Sequence, residues 1–471
     1  MRPVLLIDFG STYTKVTAVD LETEELLGTS QSWTTINTDI GEGLAKAVAK
    51  LEEKTGPLNF EARYACSSAA GGLRMITSGL VPELTAEAAK QASLGAGAKI
   101  RGVYSFELTE DDIEDIDAEH PDIFLLTGGT DGGNKDCILH NAEMLATCKT
   151  DFPIVIAGNR SVARTCARKL EGREIYVVEN VMPKFGTLNI KPAQDKIREI
   201  FLKRIVEAKG YTKAQELIDN IAMPTPSAMM QAMQLLAEGC EDENGNHVSG
   251  IGDLVAVDVG GATTDIYSVC DGMPLAGMDT VFKGLPEPYI KRTVEGDIGM
   301  RYSIHGIEEA VGTGYISNLS GIPEERCREL IDFLGKNTEV IPGGDNEAEL
   351  EALDFALASG AIKTAVTRHA GRLEEFYTMN GLAYMQTGKD LRGIRQIIVT
   401  GGSLIHTKRT GKIASAALWD PQDPFSLKPK QADVWVDRSY ILAAMGLLSA
   451  YYPQTALKIM KKELKKDGYQ E

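Results

Sequence analysis

The feature that most constrains this chain is a short pattern that occurs twice, far apart. Leu5-Leu6-Ile7-Asp8-Phe9-Gly10-Ser11-Thr12 and Val255-Ala256-Val257-Asp258-Val259-Gly260-Gly261-Ala262-Thr263-Thr264-Asp265 share one grammar. Each is an apolar run, then Asp, an apolar residue, Gly, a small residue and Thr. Alternation resumes over Tyr13–Asp20 after the first turn and over Thr264–Val269 after the second. Each copy therefore reads as strand, turn, strand. Self-similarity over this distance predicts two related lobes, not a short-period solenoid.

The residue types in these turns suit a nucleotide. Gly lets backbone approach a ligand closely and permits backbone angles that other residues avoid. Consecutive N–H groups beside Ser and Thr hydroxyls form a concave anion site for phosphate oxygens. Gly10, Ser11 and Thr12 on one side, and Gly260, Gly261, Thr263 and Thr264 on the other, are the candidate phosphate contacts. Lys15 can add a positive charge. Asp8 and Asp258, at strand ends, can hold a hydrated Mg²⁺, which takes one or two carboxylates and keeps several waters. Asp265 can either touch that metal or cap its turn. Two such turns facing each other would clamp a triphosphate. Ile397–Thr400 is a further apolar strand, ending at Gly401-Gly402-Ser403, where bare backbone can lie flat against adenine or ribose. No turn follows the G-x-x-x-x-G-K-[ST] or G-x-G-x-x-G patterns.

Between the two copies the rhythm is strand and helix in alternation, which predicts α/β architecture. Strands are expected at 123–127, 154–157 and 175–178, with helices at 138–146 and 161–170. This β-α-β-α-β run predicts parallel neighbours with right-handed crossovers. Helices are also expected at 43–54, 193–209, 226–238 and 440–450, and the acidic stretch 241–252 reads as a boundary loop. Residues 281–292, 306–312 and 324–334 read as mostly helical, 347–375 as a long helix, and the Lys-rich tail after Pro453 as an amphipathic surface helix. The loop Thr127–Asn134 reads as a strand-to-helix turn, although its Gly density and central Asp131 would also suit a ligand or partner. Cys66, with no His nearby in sequence, reads as a structural thiol.

A net charge of −18 repels nucleic acid and anionic membranes, so neither is expected as a partner. No apolar stretch is long enough to span a bilayer, and Asp8 interrupts the N-terminal apolar run, so no signal peptide is expected. The seven Cys are scattered without a C-x-x-C pair, and the six His lack metal-ligand spacing. That reads as reduced thiols in a cytoplasmic protein, not a disulfide framework or a zinc site.

Three motifs thus stand in the order seen in the superfamily of actin, sugar kinases and heat-shock chaperones. Asp8–Lys15 resembles its first phosphate motif, Asp258–Asp265 its second and Thr400–Ser403 its adenosine motif. Ile175–Pro183, with Glu179 and Pro183, resembles the first connection between lobes, and Ala443-Ala444-Met445-Gly446 the second. The resemblance implies a two-lobed actin-like ATPase fold of duplicated ribonuclease H-like lobes, with an inserted β-α-β-α-β unit and helical insertions. The implied division is 1–252, 253–438, and 439–471 as connecting helix and tail. Glu179 becomes the candidate for orienting the attacking water, with ATP and Mg²⁺ as cofactors.

The stretches LLIDFGSTYTKVTAVD, CSSAAGGLRM, LLTGGTDGGN, VAVDVGGATTDIYSV, KRTVEGDIGMR and IIVTGGSLI resemble one family more closely, the glutamate mutase L-type accessory proteins. That resemblance implies an ATP-dependent reactivating chaperone whose partners are subunits of an adenosylcobalamin-dependent mutase, helping to release a damaged cobalamin. A small-molecule kinase, an actin-like filament protein and an ATP-dependent hydrolase of the hydantoinase type are alternatives on the same fold.

Overall fold

The computed structural model describes residues 1–10, 12–35, 40–68, 73–207, 220–275, 279–340, 342, 348–379 and 381–467. The chain divides into two compact units. The first takes Met1–Ala232, Gly284–Pro286 and Ala443–Ala456, and the second takes Met233–Lys283, Glu287–Leu442 and Leu457–Glu471. By packing, the first division falls inside the helix Thr225–Glu238, ahead of the acidic stretch.

The first unit opens with β1 (Pro3–Phe9), β2 (Tyr13–Asp20), β3 (Glu25–Trp33) and β4 (Ala62–Ser67). A second run follows: β5 (Leu73–Gly79), β6 (Ala98–Ser105), β7 (Ile123–Leu126), β8 (Ile154–Ile156) and β9 (Ile175–Val177). Then β10 (Asn220–Pro224) returns to the first sheet, whose order is β10-β4-β1-β2-β3. β1 runs antiparallel to β2 and parallel to β4, and β4 runs parallel to β10. The central strand β1 is buried along its whole length. It reads as a continuous apolar run because both faces are covered, and each buried Leu, Ile or Phe contributes about 1.5–3 kcal/mol.

The inserted sheet is parallel throughout, in the order β6-β5-β7-β8-β9. Helices cover both faces. Glu87–Gly95 and Lys191–Glu207 pack on the face of Met75 and Leu125, a core shared with Leu5, Ile7 and Phe9 of the first sheet. Glu110–Glu119, Asp136–Ala146 and Ala163–Lys169 pack on the face of Ile76 and Phe124. The parallel β-α-β-α-β run expected at 123–178 is therefore present as β7, β8 and β9 with their two helices.

The second unit begins with a small hairpin, β11 (Gly239–Glu241) and β12 (His247–Ser249), in the stretch expected to be a loop. Then come β13 (Leu254–Val259), β14 (Thr264–Val269), β15 (Thr280–Lys283) and β16 (Ile290–Glu295). They are followed by β17 (Arg372–Thr378), β18 (Gly381–Thr387), β19 (Gln396–Thr400), β20 (Asp433–Val436) and β21 (Lys465–Asp467). The main sheet is β16-β14-β13-β19-β20-β21. Its first five strands repeat the order and directions of the first sheet: β13 is antiparallel to β14 and parallel to β19, and β19 is parallel to β20. Each unit thus carries one copy of the duplicated ribonuclease H-like sheet of the actin-like ATPase class. The helix Ala348–His369 packs in the core of this unit.

Three expectations need correction here. Residues 281–292 are strand and loop, not helix, because Gly284, Pro286 and Pro288 interrupt the segment and β16 pairs with β14 as the third antiparallel strand. The long helix ends at His369, and Arg372–Thr378 turns back as a hairpin strand. The amphipathic tail helix is present as Pro453–Glu463, with Ala456, Leu457 and Met460 on its buried face and Lys461 and Lys462 exposed, but it stops there, and Lys465–Asp467 adds an edge strand on β20. Among the described residues, no helix is long and apolar enough to cross a membrane. All seven cysteines are free.

Candidate functional site: two Asp–Gly turns and a Gly-Gly strand end

The first turn joins β1 to β2. The Gly10 N–H donates to the Tyr13 carbonyl at 3.1 Å. A Cβ on Gly10 would stand 2.7 Å from that same oxygen, so the turn admits only glycine. Thr34, the residue after β3, braces it: its Oγ1 donates to the Gly10 carbonyl at 2.8 Å and its N–H to the Thr12 carbonyl at 2.9 Å. Asp8 sits one residue before the strand end, opposite Lys15 on β2 and Cys66 on β4. It is 7% exposed. Its Oδ1 accepts from Thr225 Oγ1 at 2.6 Å and from Cys66 Sγ at 3.6 Å, while Lys15 Nζ lies 3.7 Å from Oδ2. Burial, and then the Asp8 charge, push the Cys66 thiol well above its ordinary range, so it stays S–H. Ser11 lies outside the described residues, as do residues 69–72 of the loop after Cys66.

The second turn joins β13 to β14 with the same bond, Gly260 N–H to the Thr263 carbonyl at 2.9 Å. Asp258 is opposite Asp265 on β14 and beside Thr400 on β19. Asp265 is already engaged. Arg292 of β16 reaches its Oδ1 from Nε at 2.9 Å and from a terminal nitrogen at 2.6 Å, and Thr263 Oγ1 donates to Oδ2 at 3.3 Å. Residues 298–302 brace this turn. The Met300 N–H donates to the Gly260 carbonyl at 3.0 Å, and those of Arg301 and Tyr302 donate to the Gly261 carbonyl at 2.8 and 2.9 Å. Thr264 Oγ1 donates to the Ile298 carbonyl at 3.0 Å. The stretch KRTVEGDIGMR thus supplies both the brace and Arg292.

Gly401 has φ +103°, and a Cβ there would lie 2.3 Å from the Val259 carbonyl oxygen. The strand end is therefore pressed against the second turn. Gly402, by contrast, would carry a Cβ into open space, and so, nearly, would Gly261, whose nearest neighbour would be Tyr302 at 3.7 Å. Neither has a positive φ. Neither packing nor backbone angle demands glycine at these two positions, and the residue leaves bare, exposed backbone there. Sequence reasoning missed Asp437. This residue, 2% exposed, accepts from Thr400 Oγ1 at 3.1 Å and from the N–H groups of Ile441 and Leu442 at 2.9 and 3.2 Å. It ties the end of β19 to the start of the helix Leu442–Ser449.

The structure groups the named residues as follows. Asp8, Gly10, Thr12 and Lys15 share one end of the first sheet. Asp258, Gly260, Gly261, Thr263, Thr264, Asp265, Gly401, Gly402 and Ser403 share one end of the second. Glu179 joins neither. It is exposed, follows β9 on the edge of the inserted sheet, and accepts from Asn189 Nδ2 at 2.9 Å. Ile175–Pro183 lies wholly within the first unit and is no connection between units. The first crossing is inside Thr225–Glu238, a helix whose role the apolar pattern alone does not reveal. Ala443–Gly446, however, does stand where the chain recrosses, after Leu442. A Cβ on Gly446 would lie 1.8 Å from the Ala228 carbonyl, so the two helices touch backbone to backbone.

The loop Thr127–Asn134 is a strand-to-helix turn locked by its neighbours. Asn159 accepts from the Gly132 N–H and donates to the Gly133 and Asn134 carbonyls, and Asn180 donates to the Gly129 carbonyl and to Asp131. Among the described residues, no group of three or more His, Cys, Asp or Glu is placed to hold a metal ion. In each unit taken by itself, a single strand-end carboxylate, Asp8 or Asp258, fits a metal that takes most of its ligands from phosphate and water.

Comparisons with known proteins place the chain. In solved structures it is similar to the activator of 2-hydroxyisocaproyl-CoA dehydratase from Clostridium difficile with bound ADPNP, at 10% identity and TM-score 0.31, covering 98% of each chain. It is also similar to xylulose kinase from Lactobacillus acidophilus, at 11% identity and TM-score 0.35, covering 99% of this chain and 93% of that one. In sequence it is 47% identical to Protein MutL of Clostridium tetanomorphum, over 99% of this chain and 100% of that protein. The family described as MutL protein matches residues 4–464. On that full-length match, the chain belongs to the MutL protein family.

Proposed function

We propose that this protein is an ATP-dependent accessory factor that reactivates an adenosylcobalamin-dependent mutase, such as glutamate mutase or an aminomutase, and that it hydrolyses ATP slowly. The observation that carries the nucleotide reading is the repeated turn: the same Gly N–H to carbonyl bond, beside the same strand-end Asp, in two sheets of the same order. The bare backbone at Gly261 and Gly402 supports it, and membership of the MutL family supports the accessory role.

In this reading Ser11 and Thr12, and Gly261, Thr263 and Thr264, offer N–H groups to phosphate oxygens, while Gly10 and Gly260, whose N–H groups close the turns, keep the backbone bare for close approach. Lys15 neutralises phosphate charge, and Gly401, Gly402 and Ser403 lie along the adenosine. Mg²⁺, when bound, would supply charge neutralisation at the phosphates, with Asp8 and Asp258 holding its waters. Of the two roles open to Asp265, its bonds to Arg292 and Thr263 support capping the turn over touching the metal. The attacking water is given to Asp258, which stands at a Gly turn, and not to Glu179 on another sheet. Slow turnover suits a protein that reports ATP against ADP to a partner.

The test is ATP hydrolysis by the purified chain with Mg²⁺, with and without a candidate mutase carrying damaged cobalamin. Hydrolysis that restores mutase activity, and that falls about 100-fold or more in Asp8→Ala and Asp258→Ala, is the expected result. Failure of the wild-type chain to bind ATP would remove the nucleotide reading. Hydrolysis without rescue would remove the client.

A further inference from the structure

The proposed role of Asp8 leaves its closest partner unexplained. Three separate segments converge on this carboxylate: β1 supplies Asp8, β4 supplies Cys66 in register beside it, and the helix after β10 supplies Thr225 as its first residue. The Thr225 Oγ1 to Asp8 Oδ1 distance of 2.6 Å is that of a charge-assisted O–H···O⁻ bond. Cys66 Sγ lies 3.6 Å from the same oxygen and 3.7 Å from Thr225 Oγ1, so both donors address Oδ1. Lys15 approaches from the other side, at Oδ2. A strand-end Asp held in this way cannot swing about its χ2 angle.

The backbone at Thr225 is restricted as well. Pro224 precedes it and Pro226 follows it. A proline confines the residue before it, and each ring fixes its own φ, so the hydroxyl is aimed by a stiff segment. Neither Thr225 nor Cys66 belongs to the Gly turn, and neither was marked by the repeated pattern.

We propose that Thr225 is a positioning residue for Asp8, assisted by Cys66: the two donors fix Oδ1 so that the carboxylate meets the hydrated cation in one orientation. This rests on the reading of Asp8 given above. It predicts that the hydroxyl matters and the methyl does not.

The experiment uses the full chain, Mn²⁺ as the probe and a non-hydrolysable ATP analogue. Mn²⁺ affinity is read by electron paramagnetic resonance, beside the Mg²⁺ dependence of hydrolysis and the ligand-free melting temperature. Thr225→Val should weaken Mn²⁺ binding about tenfold, and Thr225→Ser should restore it to within about twofold of wild type. Cys66→Ala, which removes only a weak S–H donor, should cost about threefold. A Thr225→Val chain that melts as wild type and binds Mn²⁺ as tightly overturns the proposal. If that variant does not fold, a folded Cys66→Ala chain with wild-type affinity overturns the shared role. A wild-type chain that takes up no Mn²⁺ with the nucleotide overturns the nucleotide reading itself, an outcome visible before any variant is made.

Discussion

The two Asp–Gly turns share a backbone but not an electrostatic plan. In the first, Asp8 faces a cation across the strands, and Lys15 is 3.7 Å away with its side chain 23% exposed. In the second, the residue in the place of Lys15 is another acid, Asp265. Its countercharge comes from Arg292, one strand further on, with only 4% of its side chain exposed. The first turn therefore keeps its cation partly exposed, in a long pair with the strand-end carboxylate itself. The second has buried its cation as structure and leaves Asp258 at the strand end. A duplicated fold can conserve hydrogen-bond geometry in both copies while changing which residue faces the strand-end carboxylate and where its countercharge sits.

That comparison can be broken by experiment. The largest effect should come from Arg292→Met. It strands Asp265 in a mostly buried site and should cost about 3–5 kcal/mol by chemical denaturation. Lys15→Met, at a partly exposed and longer pair, should cost less than about 1 kcal/mol while weakening nucleotide binding. Equal costs would erase the distinction. Next, Gly401→Ala forces a side chain into a glycine-only backbone conformation against Val259 and should destabilise by about 3 kcal/mol.

Gly402→Ala meets nothing and should leave the melting temperature unchanged. Titration calorimetry should nevertheless show nucleotide affinity reduced about tenfold, or about 1.4 kcal/mol. Unchanged affinity would take the ligand away from that strand end. The last effect is on acid stability. His369 lies between Ser268 and Thr293 at 2.8 Å each. Burial, then the charges of Lys291 and Lys389, hold its pKa well below 6.5. The unfolded chain therefore binds the extra proton first. The contribution of His369 is complete above about pH 6.5 and is lost at about 1.4 kcal/mol per pH unit below it. His369→Gln should remove that slope from melting curves taken between pH 7 and pH 5, and an unchanged slope would assign it to other groups.

The strands that carry both turns were legible in the sequence because central strands covered on both faces read as unbroken apolar runs, as in Leu5–Ile7 and Val255–Val257. The parallel insert was legible for the same reason at Ile123–Leu126 and Ile154–Ile156. Strand β3 (ELLGTSQSW) and the hairpin β17–β18 were not, because their half-exposed and polar residues leave no long apolar run. The segment after Val281 misled because its apolar spacing fits a helix, whereas pairing with β14 decides the outcome. Partners were the least visible part of the site. Thr225 meets Asp8 across 217 residues, and Arg292 meets Asp265 from a strand that had been read as helix. A turn is written locally, but what holds its carboxylate is not.

The position of the insert sets an order of assembly. β4 ends at Ser67 and its parallel neighbour β10 begins at Asn220, so the whole five-stranded insert lies in the connection between two adjacent strands. Closing that connection as a loose chain costs entropy that grows with its length. Folding the insert first shortens the effective loop, since its own contacts are local β-α-β units. β10 is then the last strand to dock on the first sheet, and Thr225, the residue after it, is the last partner to reach Asp8. In refolding followed by hydrogen exchange, the amides of β7 and β8 should be protected before those of β10. A chain caught part-way would hold a finished insert and a Gly turn whose carboxylate still swings. In this order Asp8 gains its Thr225 partner only after the insert between β4 and β10 has been built.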